Sequence, residues 1–279
     1  MKKKKMALAI ACMAILAVGT TVFVGCSKEN ENSVNTKKVA VNSSLALNEQ
    51  NPYEEVGISH NSILEESMNN VMLQKEITGS CDIGYAITTS NIISSSYGYD
   101  TTYGRQISLA VIADSNNNFA KAIDNYVSAE VKDVFNSILD DIYTLGNSDE
   151  TDYGKYKEII VNYEDQIISG DFSDEDKQIL LSGTSVFRHS LYFWDNSGYE
   201  FEQKSVWKWI TVGVADAAGA LCGTATGITA GTTLGVGPVV GGIAGGIVGA
   251  VGASASAASL YDNLEKEINE EDDDNQNEE

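Results

Sequence analysis

From Ala217 to Tyr261 the chain carries no charged side chain, and glycine recurs there at every fourth position. The first run is Gly219, Gly223, Gly227, Gly231 and Gly235; after Pro238 a second runs Gly241, Gly245, Gly249, with Ala253 and Ala257 continuing it. A four-residue step returns to nearly the same face of an α-helix, so each run lays down a stripe without side chains where another helix approaches closely. Gly235-Val236-Gly237-Pro238 supplies the break, because proline cannot continue a helix and the residue before it avoids helical angles. The pattern predicts a helical hairpin zipped along glycine over residues 201–262. Its arms, 216–235 and 239–261, reach roughly 30 and 35 Å at about 1.5 Å per residue, which suits the hydrocarbon core of a bilayer. In water each interior glycine costs about 1 kcal/mol against alanine. The hairpin therefore requires a dry partner, either a lipid bilayer or the protein's own helical body. Trp207, Trp209 and Tyr261 fall at the shared outer end, where they would form an interfacial belt. Thr224, Thr226, Thr229, Thr232 and Thr233 offer hydroxyls for interhelical hydrogen bonds or a wet lumen.

The other end of the chain reads as an address. Lys2 to Lys5 precede an apolar run from Met6 to Gly25 and then Cys26, the layout of a secretory signal; a retained transmembrane anchor is the alternative. Phe23-Val24-Gly25-Cys26 resembles the bacterial lipobox, with Phe23 where leucine is usual. The resemblance implies a signal peptide over 1–25 and acyl chains on Cys26. Ser27-Lys28-Glu29-Asn30-Glu31-Asn32 is similar to the surface-export signal of Bacteroidota lipoproteins, and implies an outer-membrane lipoprotein facing the medium. Residues 26–50 are polar enough to read as a flexible linker. Cys12 would leave with the signal, so Cys81 and Cys222 would be the remaining thiols.

Between linker and hairpin, residues 51–200 read as a helical domain. Asn51-Pro52-Tyr53-Glu54-Glu55 combines a capping residue, a first-turn proline and first-turn acids. Val56, His60, Ile63, Leu64, Val71 and Met72 then mark one apolar face. Asn51-Pro52-Tyr53, Gly57, His60 and Asn61 also resemble the opening of many uncharacterised Bacteroidota exported proteins, which implies lineage and no activity. Residues 94–105 have no apolar period and read as an exposed loop ending at Arg105. From Phe119 to about Gly146 the apolar step traces one long helix, and another runs from Asp152 to Ile168. A further helix starts at Ser173, with Asp176 as its capping-box partner, and carries Phe187, Leu191 and Trp194. Residues 263–279 are dense in Asp and Glu and read as a disordered acidic tail. The fold class is thus mainly α: a helical bundle followed by a glycine-zipper hairpin.

Charge and composition narrow the function. Acidic residues outnumber basic ones 40 to 18, a net charge of −22, which repels phosphate backbones and argues against nucleic acid as a partner. Two histidines and four cysteines, none in a ligating pair, leave no zinc cluster, and no metal or cofactor is expected. No catalytic motif of useful specificity is present. Cys81 with Asp82, and His60 or His189 as base, is a remote nucleophile arrangement; a packing role for His60 is the simpler reading.

Lipobox, zipper and order of parts together resemble the lipid-anchored glycine-zipper bacteriocins of gut Bacteroidales. The resemblance implies a non-enzymatic toxin displayed at or released from the cell surface, activated by a protease, directed by an unknown receptor on target cells, and killing by membrane insertion. Arg105, one of only two arginines, is the expected cleavage site, because Arg188 falls on a packed helix. A non-toxic surface lipoprotein that uses the zipper for homo-oligomerisation or partner binding is the second reading.

Overall fold

The structure, a computed structural model, describes residues 43–80, 82–113, 119–148, 150–197 and 206–276. They belong to the unit Ala40–Glu279; Cys26, the signal and most of the linker lie outside the described residues, as does Cys81. Among the described residues the fold is mainly α. Its helices are α1 Glu54–Thr78, α2 Ile83–Ser96, α3 Gly104–Ile112, α4 Ala129–Gly146, α5 Tyr153–Ser169, α6 Asp174–Asn196, α7 Val206–Leu234 and α8 Pro238–Gln276.

Local chemistry sets most helix starts. Side-chain oxygens of Asp82, Ser128 and Asp152 accept the backbone N–H of Tyr85 at 2.5 Å, Val131 at 3.2 Å and Gly154 at 2.8 Å. Ser173 accepts from the Asp176 N–H at 3.0 Å and donates to its carboxylate at 2.8 Å, the expected capping pair. At α1 the cap position falls to Tyr53 rather than Asn51. The Asn51 side chain instead closes a turn onto the Tyr53 N–H at 2.8 Å, while its amide reaches into the core.

Helix α6 is the axis of the bundle, buried at every residue from Gln178 to Trp194. On one side it packs on α5 and α4, with Phe135 edge-on to Phe187 at 6.5 Å. On the other it packs on α7, which in turn makes the most extensive contact of the fold with α8. Helices α1, α2 and α3 cover α8, and α1 also lies against α6. The hairpin is thus sheathed at its base: α7 is buried over most of Trp209 to Ala225, and α8 from Gly246 to Ser259. Between Ala217 and Leu260, the exposed residues run from Thr229 to Val240, toward the tip.

Four boundaries differ from the sequence reading. The expected linker ends earlier, because Ala46 is buried and the 3-10 turn Ser43–Ala46 is tied to the body through Lys157 Nζ donating to the Leu45 carbonyl at 2.8 Å. The expected 94–105 loop shrinks to residues 97–103. Ser90 and Ser94 are buried on α2, where small side chains allow close packing, and Arg105 stands exposed in the first turn of α3. The long helix from Phe119 divides into a 3-10 segment, Phe119–Asn125, and α4, because the Ser128 cap interrupts it. The acidic tail is helical through Gln276 rather than disordered; no Gly or Pro follows Gly252 to stop α8.

Candidate functional site

The glycine ladders face each other. A Cβ added at Gly219, Gly223 or Gly227 would come closer than 3.0 Å to the backbone of Gly249, Gly245 or Gly241, and the reciprocal positions meet the same obstruction. Gly231 faces Gly237 and Gly241. The antiparallel arms therefore touch backbone to backbone for four turns, and no other residue fits. Gly235 and Gly237 take φ of 77° and 90°, the left-handed region that favours glycine, and the Gly237 N–H closes the tip onto the Gly231 carbonyl at 3.1 Å. A second face of α8 uses small residues: a Cβ at Gly246 would meet Thr224 Oγ1 of α7 and approach Val56 of α1, and one at Gly252 would meet Ser108 of α3. Val248 abuts Gly104, next to Arg105.

Toward the tip, the seam opens into an apolar cavity of about 240 Å³ between the hairpin and the start of α3. It is lined by Gly227, Gly231, Gly241 and Gly245 with Tyr103 and Ile107.

Two polar nodes fix the hairpin and its sheath. In the first, Arg188 on α6 pairs with Glu54 on α1 at 2.5 Å and with Glu164 on α5 at 3.2 Å. His189 Nε2 lies 2.7 Å from Glu54, while Asn51 and Asn48 donate to Glu164 at 2.8 and 2.7 Å. Arg188 also donates to the Ala46 carbonyl. Burial alone would raise the Glu54 carboxyl, but hydrogen bonds from His189 and Arg188 outweigh it and hold it at about 2. Removing one partner from such a buried set typically costs about 3–5 kcal/mol.

In the second node, Asp216 on α7 is wholly buried, one residue before the uncharged stretch. Its Oδ2 accepts from Ser254 on α8 at 2.9 Å, from Trp194 on α6 at 3.3 Å, and from Ser190 on α6; His60 Nε2 on α1 lies 3.7 Å away. One carboxyl thus ties both hairpin arms to α6 and faces α1. Burial raises Asp216 to about 8 against the pull of its donors, and burial pushes His60 down to about 3.

The sequence reading located the zipper positions and the burial of Arg188 and His60. It placed other groups differently. Trp209 is buried edge-on to Tyr156 at 4.8 Å, and Trp207 rests on Tyr143, so in this state they bind α5 and α4 rather than form an outer belt. The Tyr261 side chain lies outside the described residues. Thr226, Thr229, Thr232 and Thr233 donate to carbonyls one turn back on α7 itself, so their hydroxyls make no bridge to α8. Asp216 and Glu164 went unremarked in the sequence, although each carries a signal. Asp216 is the lone charge between Trp209 and Tyr261, and Glu164 stands on the apolar stripe of Tyr156, Ile160 and Ile167.

Two measurements test this geometry. Gly227→Ala should lose about 1–3 kcal/mol of stability to urea, outweighing the roughly 1 kcal/mol that alanine brings to an open helix; a neutral or stabilising result would contradict the seam. The pH dependence follows from the second node. The folded chain holds the Asp216 proton between its ordinary 3.8 and about 8, so stability falls as pH rises through that range. His60 and Glu54 act oppositely, losing stability as pH drops from 6.5 to about 3 and from 4.5 to about 2. Between pH 6.5 and 8 only Asp216 among these three changes, so Asp216→Asn should abolish the fall in urea midpoint over that window; between pH 6.5 and 3.8, where Asp216 and His60 offset each other in wild type, the variant should lose stability more steeply on acidification. A persistent fall between pH 6.5 and 8 in the variant would refute the assignment.

No protein-family model, no curated protein and no solved structure matches this chain.

Proposed function

We propose that the protein is a surface lipoprotein toxin, anchored at Cys26 in the outer membrane. It stores a membrane-inserting hairpin inside its own helical sheath and releases it on proteolysis. The observation that carries this reading is the burial of an uncharged, glycine-zipped hairpin beneath helices α1, α2, α3 and α6. Exposed in isolation, an apolar segment of this size would aggregate. Over Pro238–Leu260, α8 is long and apolar enough to cross a membrane, and two thirds of that stretch is buried. Helix α7 is less apolar and reaches the bilayer as the zipped partner of α8, with Asp216 already carrying its proton at neutral pH. In lipid no hydrophobic drive joins helices, so the same glycine contact that stores the hairpin holds it together after entry.

Arg105 is the release point. Its side chain is exposed, while Arg188 is wholly buried, so an arginine-specific protease reaches only the first turn of α3 once that turn frays. Gly104 and Ser108, flanking the cut, rest on Val248 and Gly252 of α8. Cleavage would separate α2 from α3 and loosen the cover where it touches the span. The second reading, a non-toxic lipoprotein assembling through its zipper, has less support, because both glycine faces are already occupied within one chain.

The test uses the full chain, its acylation established by a palmitate analogue that labels wild type and not Cys26→Ala. Digestion with an arginine-specific protease should give a single cut after Arg105. The cut protein should then release dye from liposomes of target-cell lipid and kill related strains, while uncut protein and Arg105→Gln treated with protease stay inactive. Cleavage without dye release or killing would overturn the toxin reading. Leucine at Gly227 and Gly231 disturbs the stored form as well as the inserted one, so urea stability is measured beside dye release for that variant.

A further inference from the structure

Among the described residues of the uncharged segment, the exposed ones run from Thr229 to Val240 and centre on the hairpin tip. Leu234, Val236, Val239 and Val240 are between 49 and 66 % exposed, gathered around the two left-handed glycines of the turn. Three of them line the mouth of the apolar cavity together with Tyr103, itself 43 % exposed, so tip and cavity form one continuous apolar surface at one end of the bundle. The tip is held rather than loose: Gln178 of α6 donates to the Val239 carbonyl at 3.0 Å.

We infer that this tip is a docking surface for an electrically neutral bilayer, engaged by the intact protein before any cleavage. The inference deepens the proposed function by naming the first contact, and it rests on the reading of the hairpin as a membrane element. Three observations select lipid as the occupant. Behind the tip both arms continue without charge to Ala217 and Tyr261, far deeper than a protein interface needs but matched to hydrocarbon. The patch has no lysine or arginine, and the acidic first turn of α6, Asp174, Glu175 and Asp176, ends two residues before Gln178; anionic headgroups are therefore disfavoured and zwitterionic ones accepted. The glycine stripe that a second copy would use is filled by the opposite arm. Docked in this way, the tip shields its aliphatic side chains at the boundary between headgroups and acyl chains, and the arms stand ready to follow.

The experiment places one reporter at the tip and one at the far end of the fold. Val56 of α1 lies beside Gly246, and Ile77 follows 21 residues later, so Ile77 stands about 30 Å up α1, away from the tip, at roughly 1.5 Å per residue. Ile77 is also exposed, at 76 %. Full-length Val236→Trp and Ile77→Trp proteins, uncut, are mixed with phosphatidylcholine vesicles whose acyl chains carry bromine, a contact quencher of tryptophan. Because each reporter senses depth at its own position, an acyl anchor elsewhere does not mimic the result. The added tip emission should fall by about half or more, as expected for a side chain 5–10 Å into the interface, and the Ile77→Trp emission should not change. Adding Leu234→Asp and Val240→Asp should abolish quenching at the tip without loss of helical circular dichroism.

Absent quenching at the tip, or equal quenching at both sites, would overturn the inference. So would binding that requires anionic lipid. A tip emission that shifts with protein concentration in lipid-free buffer would assign the surface to a second copy and overturn it too. Dye release after cleavage is recorded on the same vesicles. Quenching without release keeps the docking surface and sinks the toxin reading; release without quenching does the reverse.

Discussion

Backbone-to-backbone contact between α7 and α8 is the constraint on which the rest of the structure depends. Each interior glycine costs a helix about 1 kcal/mol in backbone freedom relative to alanine, and a chain tolerates a ladder of them only where close packing offsets that cost. Here the offset is mutual. Gly219, Gly223 and Gly227 accept Gly249, Gly245 and Gly241 at distances that exclude any Cβ, so the arms come together in one register. Slippage by one residue would set Cys222, Thr224 or Ile228 against backbone. Because the seam is narrow, the pair behaves as one thick rod with outward faces of Ala, Val, Ile and Leu. Those faces need cover in water, which α6 supplies to α7 and α1, α2 and α3 supply to α8.

The polar nodes sit where the apolar seam gives no orientation of its own. Small, uniform residues pack in many ways, whereas a buried carboxylate is satisfied in few. Glu54, Arg188 and Glu164 bring α1, α6 and α5 to one point, and Asp216 joins both arms of the hairpin to α6. The two nodes differ in electrical character. Glu54 is held ionised by the Arg188 guanidinium and a hydrogen bond from His189, so that node is a charged clasp on the sheath. Asp216 has hydroxyl and indole donors and a neutral histidine around it, and burial keeps its proton on. A neutral acid at the base of the hairpin orders its packing while adding no charge beside the uncharged stretch.

Much of this was legible in the residues. The four-residue glycine step, the proline break and the Ser173–Asp176 cap depend on local geometry, and each stands where the sequence placed it. The rest depended on partners distant in the chain. Residues 94–96 read as loop because nothing local shows that Ser94 is buried on α2, a helix packed on α8. Asn48 and Asn51 read as linker and cap, but Glu164, more than a hundred positions away, recruits both as donors. The threonines of α7 read as interhelical donors, yet a hydroxyl in a helix finds the carbonyl four residues back before it finds a neighbour. The signal, the lipobox and Cys26 lie outside the described residues, and the anchoring they imply is part of the proposal.

The central claim is that the hairpin is one stored element kept closed by a cover that cleavage after Arg105 loosens. Hydrogen exchange followed by mass spectrometry measures this most directly. In intact protein, the amides of the buried stretches, Gly219 to Ile228 on α7 and Gly246 to Ser259 on α8, should exchange as slowly as those of α6, near the rate of global unfolding. After cleavage, protection should fall across α8 first, where Gly104 and Ser108 had rested on it, and persist in α6. Unchanged protection of α8 in the cleaved protein, or rapid exchange of both arms before any cut, would contradict the account.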